Sequence, residues 1–316
     1  MSVFTLLERA ELEAFVAPYG LGRLLDFQGI AAGTENSNFF VSLEAGEYVL
    51  TLVERGQRAD LPFVVELLQR LHAAGLPVPY GVATRSGECL RELADKPALL
   101  QPRLAGKHIE QPNAHHCAEV GSWLARMHLC TQAQPLERRS DRGLDWMLSE
   151  GPLQALQLDG EALELLRASL AEVAQAQAAV LALPRANLHA DLFRDNVLFD
   201  GPHLSGVIDF YNACSGPMLY DVAITLNDWC STASGSLDLS RARALLAAYA
   251  SLRPFHPAEA ELWPCMLRIA CLRFWLSRLI AARQPTALGV QVKDPDEFRQ
   301  RLLLRQQVHL PLPLAL

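Results

Sequence analysis

The sequence predicts an α+β chain of two lobes, a small β-rich lobe over residues 1–103 and a larger, mainly helical lobe over residues 104–316. Three observations lead to this prediction. The length of 316 residues is about twice that of an average domain. Short apolar runs are concentrated in the first hundred residues, whereas long helical periodicities follow them. A composition of 50% hydrophobic and 20% charged residues is typical of a globular chain with a sizeable core.

The first hundred residues are expected to form a small sheet with one or two helices. A short helix is predicted at 9–17, and a polar, glycine-bearing stretch then runs from Gly29 to Asn38. The apolar runs F-F-V-S-L and Y-V-L-T-L-V follow, separated by E-A-G-E, which is typical of a β-hairpin with Gly46 in its turn. The remaining predicted elements are a helix at 62–74, which ends at G-L-P-V-P, and short strands at 80–83 and 97–101.

The rest of the chain is predicted to be mainly helical. Between residues 183 and 216 a compact irregular segment contains two short apolar strands separated by D-G-P-H, which indicates a second hairpin. The predicted helices span 112–131, 160–182, 217–230, 240–251 and 257–283.

Charge and composition exclude several classes of protein. With a net charge of −7, the chain is not expected to have the basic surface that a nucleic-acid binder requires. Glu8, Glu11 and Glu13 interrupt the stretch where a secretory signal would be apolar, and no uncharged apolar run approaches the roughly 18 residues of a membrane span. The seven cysteines are scattered and include no C-x-x-C pair, so we expect a reduced, cytoplasmic protein. The sequence leaves the oligomeric state open.

The residues that carry chemistry lie in one short region. N-L-H-A-D-L-F-R-D-N-V-L-F contains His189, Asp191 and Asn196, and G-V-I-D-F-Y places Asp209 on the second strand of the predicted hairpin. Phosphoryl transfer requires this pattern, in which one carboxylate orients the attacking hydroxyl while an amide oxygen and a second carboxylate bind Mg²⁺. A hydrolase with His189 and Asp191 as metal ligands is the alternative, although it gives Asn196 no role.

The motifs H-A-D-L-F-R-D-N-V-L-F and I-D-F-Y-N-A-C-S-G-P-M-L-Y-D-V-A resemble those of the aminoglycoside phosphotransferase/choline kinase superfamily, which has a protein-kinase-like fold. Over nearly its whole length the chain is similar to the homoserine kinases of pseudomonad type. The resemblance implies that ATP and Mg²⁺ serve as cofactors and that L-homoserine accepts the γ-phosphate on its hydroxyl, a step toward threonine. Another alcohol acceptor, such as choline, ethanolamine or an aminoglycoside, stays open, and so does an ATP-binding pseudokinase.

By matching position, the resemblance implies roles for individual residues. Asp191 is the expected catalytic aspartate, Asn196 and Asp209 the expected magnesium ligands, and Asp221 a structural aspartate. Thr51 occupies the place of a phosphate-pairing lysine, and Arg55 is a candidate substitute because strand alternation places it on the same face. The residues expected to bind the nucleotide are Gly33, Thr34, Asn36, Ser37, Asn38, Glu66, Gln101 and Arg103.

Two of these expectations rest on the chemistry of the ligands. Adenine requires one backbone C=O and one N–H from the connector between the lobes, and Pro102 has no N–H, so Gln101 C=O and Arg103 N–H are predicted. A zwitterionic acceptor requires a cation for its carboxylate. The candidates for that cation are Arg194, Arg268 and Arg273, of which at least one is expected to bind the acceptor.

Overall fold

The computed structural model describes residues 5–30, 36–54, 58–283 and 293–314. These residues form two compact units, of which the first extends to Ala105 and the second begins at Gly106. The first unit holds a five-stranded sheet, and the second holds the longer helices together with four short strands.

The described part of the first unit combines an antiparallel sheet with two helices. Its elements are β1 (Leu24–Gly29), β2 (Ser37–Leu43), β3 (Gly46–Leu52), β4 (Leu90–Leu93), β5 (Lys96–Pro102), α1 (Arg9–Val16) and α2 (Leu61–Ala73). The spatial order of the strands is β1-β2-β3-β5-β4. The apolar face of α1 packs into the core with Phe39, Val41 and Leu50 of the sheet. The predicted hairpin is confirmed as β2–β3. Its turn consists of Glu44 and Ala45, whereas Gly46, expected in the turn, is the first residue of β3 and has a φ of 146°.

The strand expected at 80–83 is absent, and β1 and β4 are strands that the sequence pattern did not indicate. The Val82 N–H of this segment does donate to the Leu100 carbonyl of β5 at 2.8 Å, but the segment forms no strand there. Pro77 and Pro79, which precede it, have no N–H with which to extend the pairing. The turn between β4 and β5 consists of Ala94 and Asp95, whose φ angles are 52° and 59°. Because neither turn residue is glycine or asparagine, the hairpin carries no recognisable turn signal.

The second unit is organised around two groups of helices. Its described helices are α3 (Ala114–Gln132), α4 (Leu144–Ala155), α5 (Gly160–Leu181), α6 (Met218–Trp229), α7 (Leu239–Leu252), α8 (Pro257–Ala281) and α9 (Pro295–Arg305). Helix α3 packs along α7, while α8 contacts α4, α5, α6 and α9. Every residue of α6 is buried. The five predicted helices are confirmed, whereas α4 and α9 were not expected.

Four short strands, two more than the sequence indicated, surround the region predicted to carry chemistry. They are β6 (Arg185–Leu188), β7 (Val197–Asp200), β8 (His203–Val207) and β9 (Cys214–Pro217). Strand β6 pairs with β9, and β7 pairs with β8 through a turn at Gly201, whose φ is 58°. The predicted D-G-P-H hairpin is thereby confirmed. Asp191 lies between β6 and β7, and Asp209 lies between β8 and β9, so both occupy loops anchored at each end by a strand.

Within the described residues, no helix combines the length and the apolar character that a bilayer span requires.

Candidate active site

The loop between β6 and β7 holds Asp191 partly buried and in a fixed orientation. Its side chain is 22% exposed, and its Oδ2 accepts a hydrogen bond from Asn212 Nδ2 at 3.2 Å. Its backbone carbonyl accepts hydrogen bonds from the Phe193 N–H and from Asn196 Nδ2. Burial raises the pKa of Asp191 above the ordinary carboxyl value, and the positive charge of Arg273 opposes that rise.

Asp221, in the first turn of α6, fixes the backbone that leads to Asp191. Its two carboxylate oxygens accept hydrogen bonds from the N–H groups of His189 and Ala190, each at 2.8 Å. His128 Nε2 lies 3.2 Å from the same carboxylate, and all of these partners are buried. Ala190 has a φ of 60°, a strained conformation that the paired hydrogen bonds hold in place. Asp221 therefore has the structural role that the resemblance implied.

His189 supports the loop before Asp191, and its ring is not placed to transfer a proton. Its Nε2 lies 3.0 Å from the carbonyl oxygen of Ile208, which can only accept, so Nε2 bears the hydrogen. Burial lowers the pKa of His189, which keeps the imidazole neutral near pH 7. The ring therefore links the loop before Asp191 to the strand end before Asp209.

Asn196 and Asp209 are held as neighbours at the open end of the β7–β8 hairpin. The Ile208 N–H donates to the Asn196 carbonyl at 2.9 Å, which extends the ladder by one residue on each strand. Asn196 Nδ2 donates to the Asp191 carbonyl, so the oxygen of the amide is the atom available to a cation. Asp209 has φ 63° and ψ 67°, a left-handed conformation that aspartate tolerates better than most residues.

Two of the three arginines predicted to bind an acceptor are already paired within the protein. Arg194 donates to Asp228 from Nε at 3.1 Å and from Nη2 at 3.3 Å. Arg268 donates to Glu172 from Nε at 2.9 Å and also from Nη2. A guanidinium whose fork is occupied cannot bind a second carboxylate with the same atoms, so the structure disfavours Arg194 and Arg268 as the cation for the acceptor. That at least one of the three arginines binds the acceptor stays a prediction. Arg273 differs from the other two, because it lies buried beside Asp191.

Comparison with known proteins identifies the family. Residues 26–255 match the model of the phosphotransferase enzyme family. A homoserine kinase of Pseudomonas aeruginosa (strain UCBPP-PA14) is 67% identical over 316 residues, which is 100% of both chains. The chain belongs to the homoserine kinase family. A second relative in this family, from Methylobacillus flagellatus, is 43% identical over 303 residues, or 96% of this chain and 94% of that one.

Membership of this family makes the chain an ATP-dependent small-molecule kinase. The structure of a microcompartment-associated aminopropanol kinase aligns with a TM-score of 0.73 at 17% identity, covering 95% of this chain and 97% of that one. This likeness confirms the protein-kinase-like fold that the motifs implied.

The first unit places the residues predicted for the phosphate loop in different environments. Ser37 is fully buried and its hydroxyl donates to Glu54, so this proton is not available to a phosphate. Its role in nucleotide binding stays a prediction. Asn36 Oδ1 accepts from the Glu54 N–H. Asn38 Oδ1 accepts from the Thr51 hydroxyl at 2.7 Å, which leaves the amide N–H₂ of Asn38 as the donor. The other residues predicted here, Gly33, Thr34 and Arg55, lie outside the described residues.

Glu66, expected among the residues that bind the nucleotide, is half exposed and pairs with Arg70 one helical turn later. Thr51, which occupies the place of a lysine on β3, carries no charge with which Glu66 could pair.

In the connector, the backbone groups that point away from the β3–β5 ladder differ by one position from those predicted to bind adenine. The Arg103 N–H donates to the Glu47 carbonyl at 3.0 Å within the sheet, so it is not available to adenine. Hydrogen-bonded pairs alternate along antiparallel strands, and Gln101 faces Val49 two positions from this pair, so the Gln101 carbonyl also points into the ladder. The predicted pair of Gln101 C=O and Arg103 N–H is therefore wrong.

The sequence did not indicate Asn212, Tyr220 or His128 as members of the site. Asn212 contacts the Asp191 carboxylate, and His128 braces Asp221 from a distant helix. Their positions depend on tertiary packing, and no local spacing marks them. Tyr220 could have been noticed only because it immediately precedes Asp221.

Proposed function

We propose that this chain transfers the γ-phosphate of ATP to the hydroxyl of L-homoserine, giving ADP and O-phospho-L-homoserine. The observation that carries the proposal is the braced loop in which Asp191, Asn196 and Asp209 are held by backbone hydrogen bonds and by Asp221. The full-length similarity to homoserine kinases supports homoserine as the acceptor.

Asp191 orients the acceptor hydroxyl and accepts its proton as the phosphoryl group leaves ATP. Its Oδ2 accepts from Asn212, which fixes the plane of the carboxylate. The partial burial that raises its pKa makes it a better base than an exposed carboxylate. Neutral His189 takes no part in this proton transfer.

Asn196 and Asp209 are the residues that would hold Mg²⁺, because both offer oxygen donors from neighbouring positions at the end of the hairpin. Held there, Mg²⁺ would supply positive charge against the negative charge that develops on the phosphates during transfer. The protein contributes the orientation of these donors, since the Asn196 amide is locked by its hydrogen bond to the Asp191 carbonyl.

The backbone of Pro102 and Leu104 binds the edge of adenine. Alternation directs the Pro102 carbonyl and the Leu104 N–H to the side opposite the Arg103 N–H. Among the described residues, neither group has a backbone partner outside the strand ladder. One acceptor and one donor, two residues apart, match the requirement that the ring imposes.

A coupled assay of ADP release over five acceptors tests the proposed function. We expect kcat/KM for L-homoserine to exceed that for choline, ethanolamine, L-serine and kanamycin by at least about tenfold. The matched control is ATP with Mg²⁺ and no acceptor, which reports hydrolysis alone. If another alcohol is preferred, that alcohol replaces homoserine as the proposed acceptor. If the protein binds ATP but releases no ADP with any of the five acceptors, a pseudokinase is favoured.

A further inference from the structure

Arg273 is a buried arginine whose hydrogen-bonding capacity is not used. Its side chain is only 4% exposed, and the carboxylate nearest to it is Asp191, with Nη1 3.9 Å from Oδ1. That separation is too long for a hydrogen bond. Among the described residues, the guanidinium therefore has no hydrogen-bond acceptor within reach, although the ring of Phe274 lies against one of its faces.

Other buried arginines of the same unit have hydrogen-bond partners. Arg253 donates to Glu259 through Nη1, although its Nη2 has no partner among the described residues, and Arg305 donates to Asn227, Ser231 and the Gly235 carbonyl. A buried guanidinium has five N–H donors and a full charge, and leaving them without acceptors is costly. Arg273 differs from these arginines because none of its guanidinium nitrogens has a hydrogen-bond partner among the described residues, and because it lies beside Asp191.

Tyr220 adds a second unused group at the same place. Its hydroxyl is buried and has no hydrogen-bond partner among the described residues. Burial raises the pKa of Tyr220 well above the ordinary phenol value, and Arg273 opposes that shift, so the phenol stays neutral and keeps its proton. Tyr220 immediately precedes Asp221, whose carboxylate binds the two backbone N–H groups just before Asp191. Its helix α6 packs on α8, which carries Arg273.

We propose that Arg273 and Tyr220 bind the carboxylate of an α-amino-acid acceptor and select such acceptors over amino alcohols that lack it. The inference rests on the proposed function and assigns residues to the acceptor end of the site. The guanidinium can donate two charge-assisted hydrogen bonds to one carboxylate, and the neutral phenol can donate one more.

The dimensions of homoserine suit this arrangement. Four bonds separate its carboxyl carbon from its hydroxyl oxygen, so an extended molecule spans about 5 Å. Arg273 lies 3.9 Å from the carboxylate that orients the hydroxyl, so one short molecule reaches both groups.

A comparison of L-homoserine with 3-aminopropan-1-ol, which is homoserine without its carboxylate, tests the proposal. We expect wild type to favour homoserine in kcat/KM, and Arg273→Met to reduce that preference at least about tenfold while the KM for ATP stays within about twofold. If the amino alcohol turns over too slowly to measure, its inhibition constant against homoserine phosphorylation replaces kcat/KM. The ratio isolates the carboxylate contact, because general damage to Asp191 or to the fold lowers both activities equally.

Two further variants and a matched control complete the test. Tyr220→Phe should reduce the preference about threefold or more, and Arg273→Lys, which keeps the charge but loses the fork, should give an intermediate value. Arg268→Met, on the same helix but paired with Glu172, should leave the preference unchanged. Arg273→Lys decides the question if Arg273→Met does not fold.

An unchanged preference for homoserine in both Arg273 variants overturns the inference while the proposed function stands. Failure of wild-type protein to phosphorylate homoserine removes both, and that result is already visible in the acceptor assay before any variant is made.

Discussion

The single residue with the most informative backbone is Asp209. Its φ of 63° lies in the left-handed region, where side chains other than those of glycine, asparagine and aspartate are strained. This geometry turns the chain sharply at the end of β8 and keeps the carboxylate next to Asn196. Alanine at this position would introduce backbone strain, whereas asparagine tolerates the conformation and removes only the charge.

Asp209→Asn should therefore fold normally and weaken binding of Mg·ATP at least about tenfold, because a charged ligand of the metal is lost. Calorimetry of Mg·ATP binding measures this effect. Asp195→Asn is the matched control, since Asp195 lies in the same segment but pairs with exposed Lys293. Equal Mg·ATP affinity in wild type and in Asp209→Asn would show that Asp209 is not a metal ligand.

At the residue scale, the sequence was sufficient to expect Asp191, Asn196 and Asp209 around one hairpin, although Asp209 lies just beyond β8 and not on it as predicted. Their catalytic and metal-binding roles stay predictions. The sequence was not sufficient to choose among Arg194, Arg268 and Arg273. The partners that exclude the first two, Asp228 and Glu172, lie 34 and 96 residues away in the chain. Only the packed structure shows which guanidinium is already paired.

At the scale of elements, the start of α6 supports the catalytic loop. Burial alone would raise the pKa of Asp221, but hydrogen bonds and charge from His128, together with the His189 N–H, lower it overall. Because its pKa in the folded protein lies below the unfolded value, Asp221 stabilises the fold above the ordinary carboxyl range. That contribution is lost as pH falls through the lowered folded-state pKa.

Asp221→Asn should lower the free energy of unfolding near pH 7 by about 3–5 kcal/mol, because it removes a buried carboxylate from three donors. Its stability should also fall less steeply than that of wild type below about pH 4. Urea denaturation over a pH series measures both effects. Asp145→Asn, at an exposed carboxylate, serves as the control with a change of less than about 1 kcal/mol. Parallel acid profiles for wild type and Asp221→Asn would contradict this account.

The packing of α3 on α7 depends on the absence of a side chain at Gly121. A Cβ built on Gly121 overlaps the backbone oxygen of Leu245 in α7, and backbone cannot move aside as a flexible side chain can. The close approach of these helices accompanies the hydrogen bond between His128 of α3 and Tyr249 of α7. The same helix thereby brings His128 to Asp221.

Gly121→Ala should lower the free energy of unfolding by about 1–3 kcal/mol, although alanine is the better helix former by about 1 kcal/mol. Thermal and urea denaturation measure the difference. Ser122→Ala, at the next position of the same helix, should change stability by less than about 0.5 kcal/mol. A Gly121→Ala variant as stable as wild type would show that α3 and α7 can separate without cost.

The long helices were predicted correctly, whereas the strands β1, β4, β6 and β9 were missed. Helices α3, α5 and α8 have 19, 22 and 25 residues, and all three were expected. The strands β4, β6 and β9 have 4 residues each, too few for periodicity to be read. Helix α9 begins with Asp294 and Pro295, a start signal that could have been recognised.

At the scale of the whole molecule, the order of elements was enough to predict the fold class. An antiparallel sheet early in the chain and long helices afterwards define an α+β protein, and the motif residues then fall in loops between short strands. The identity of the acceptor could not be derived in this way, because it depends on a few side chains that come together only in three dimensions. Arg273 and Tyr220 are 53 residues apart in the sequence.

The central claim is that Asp191 orients the L-homoserine hydroxyl and accepts its proton during phosphoryl transfer from ATP. The most direct measurement follows both products in one reaction of purified protein with ATP, Mg²⁺ and L-homoserine, using phosphorus NMR. We predict that O-phospho-L-homoserine and ADP accumulate in equal amounts, and that Asp191→Asn lowers kcat at least about 10²-fold while ATP affinity is unchanged. Absence of phosphohomoserine with the wild-type protein, or turnover by Asp191→Asn within about threefold of wild type, would contradict the account.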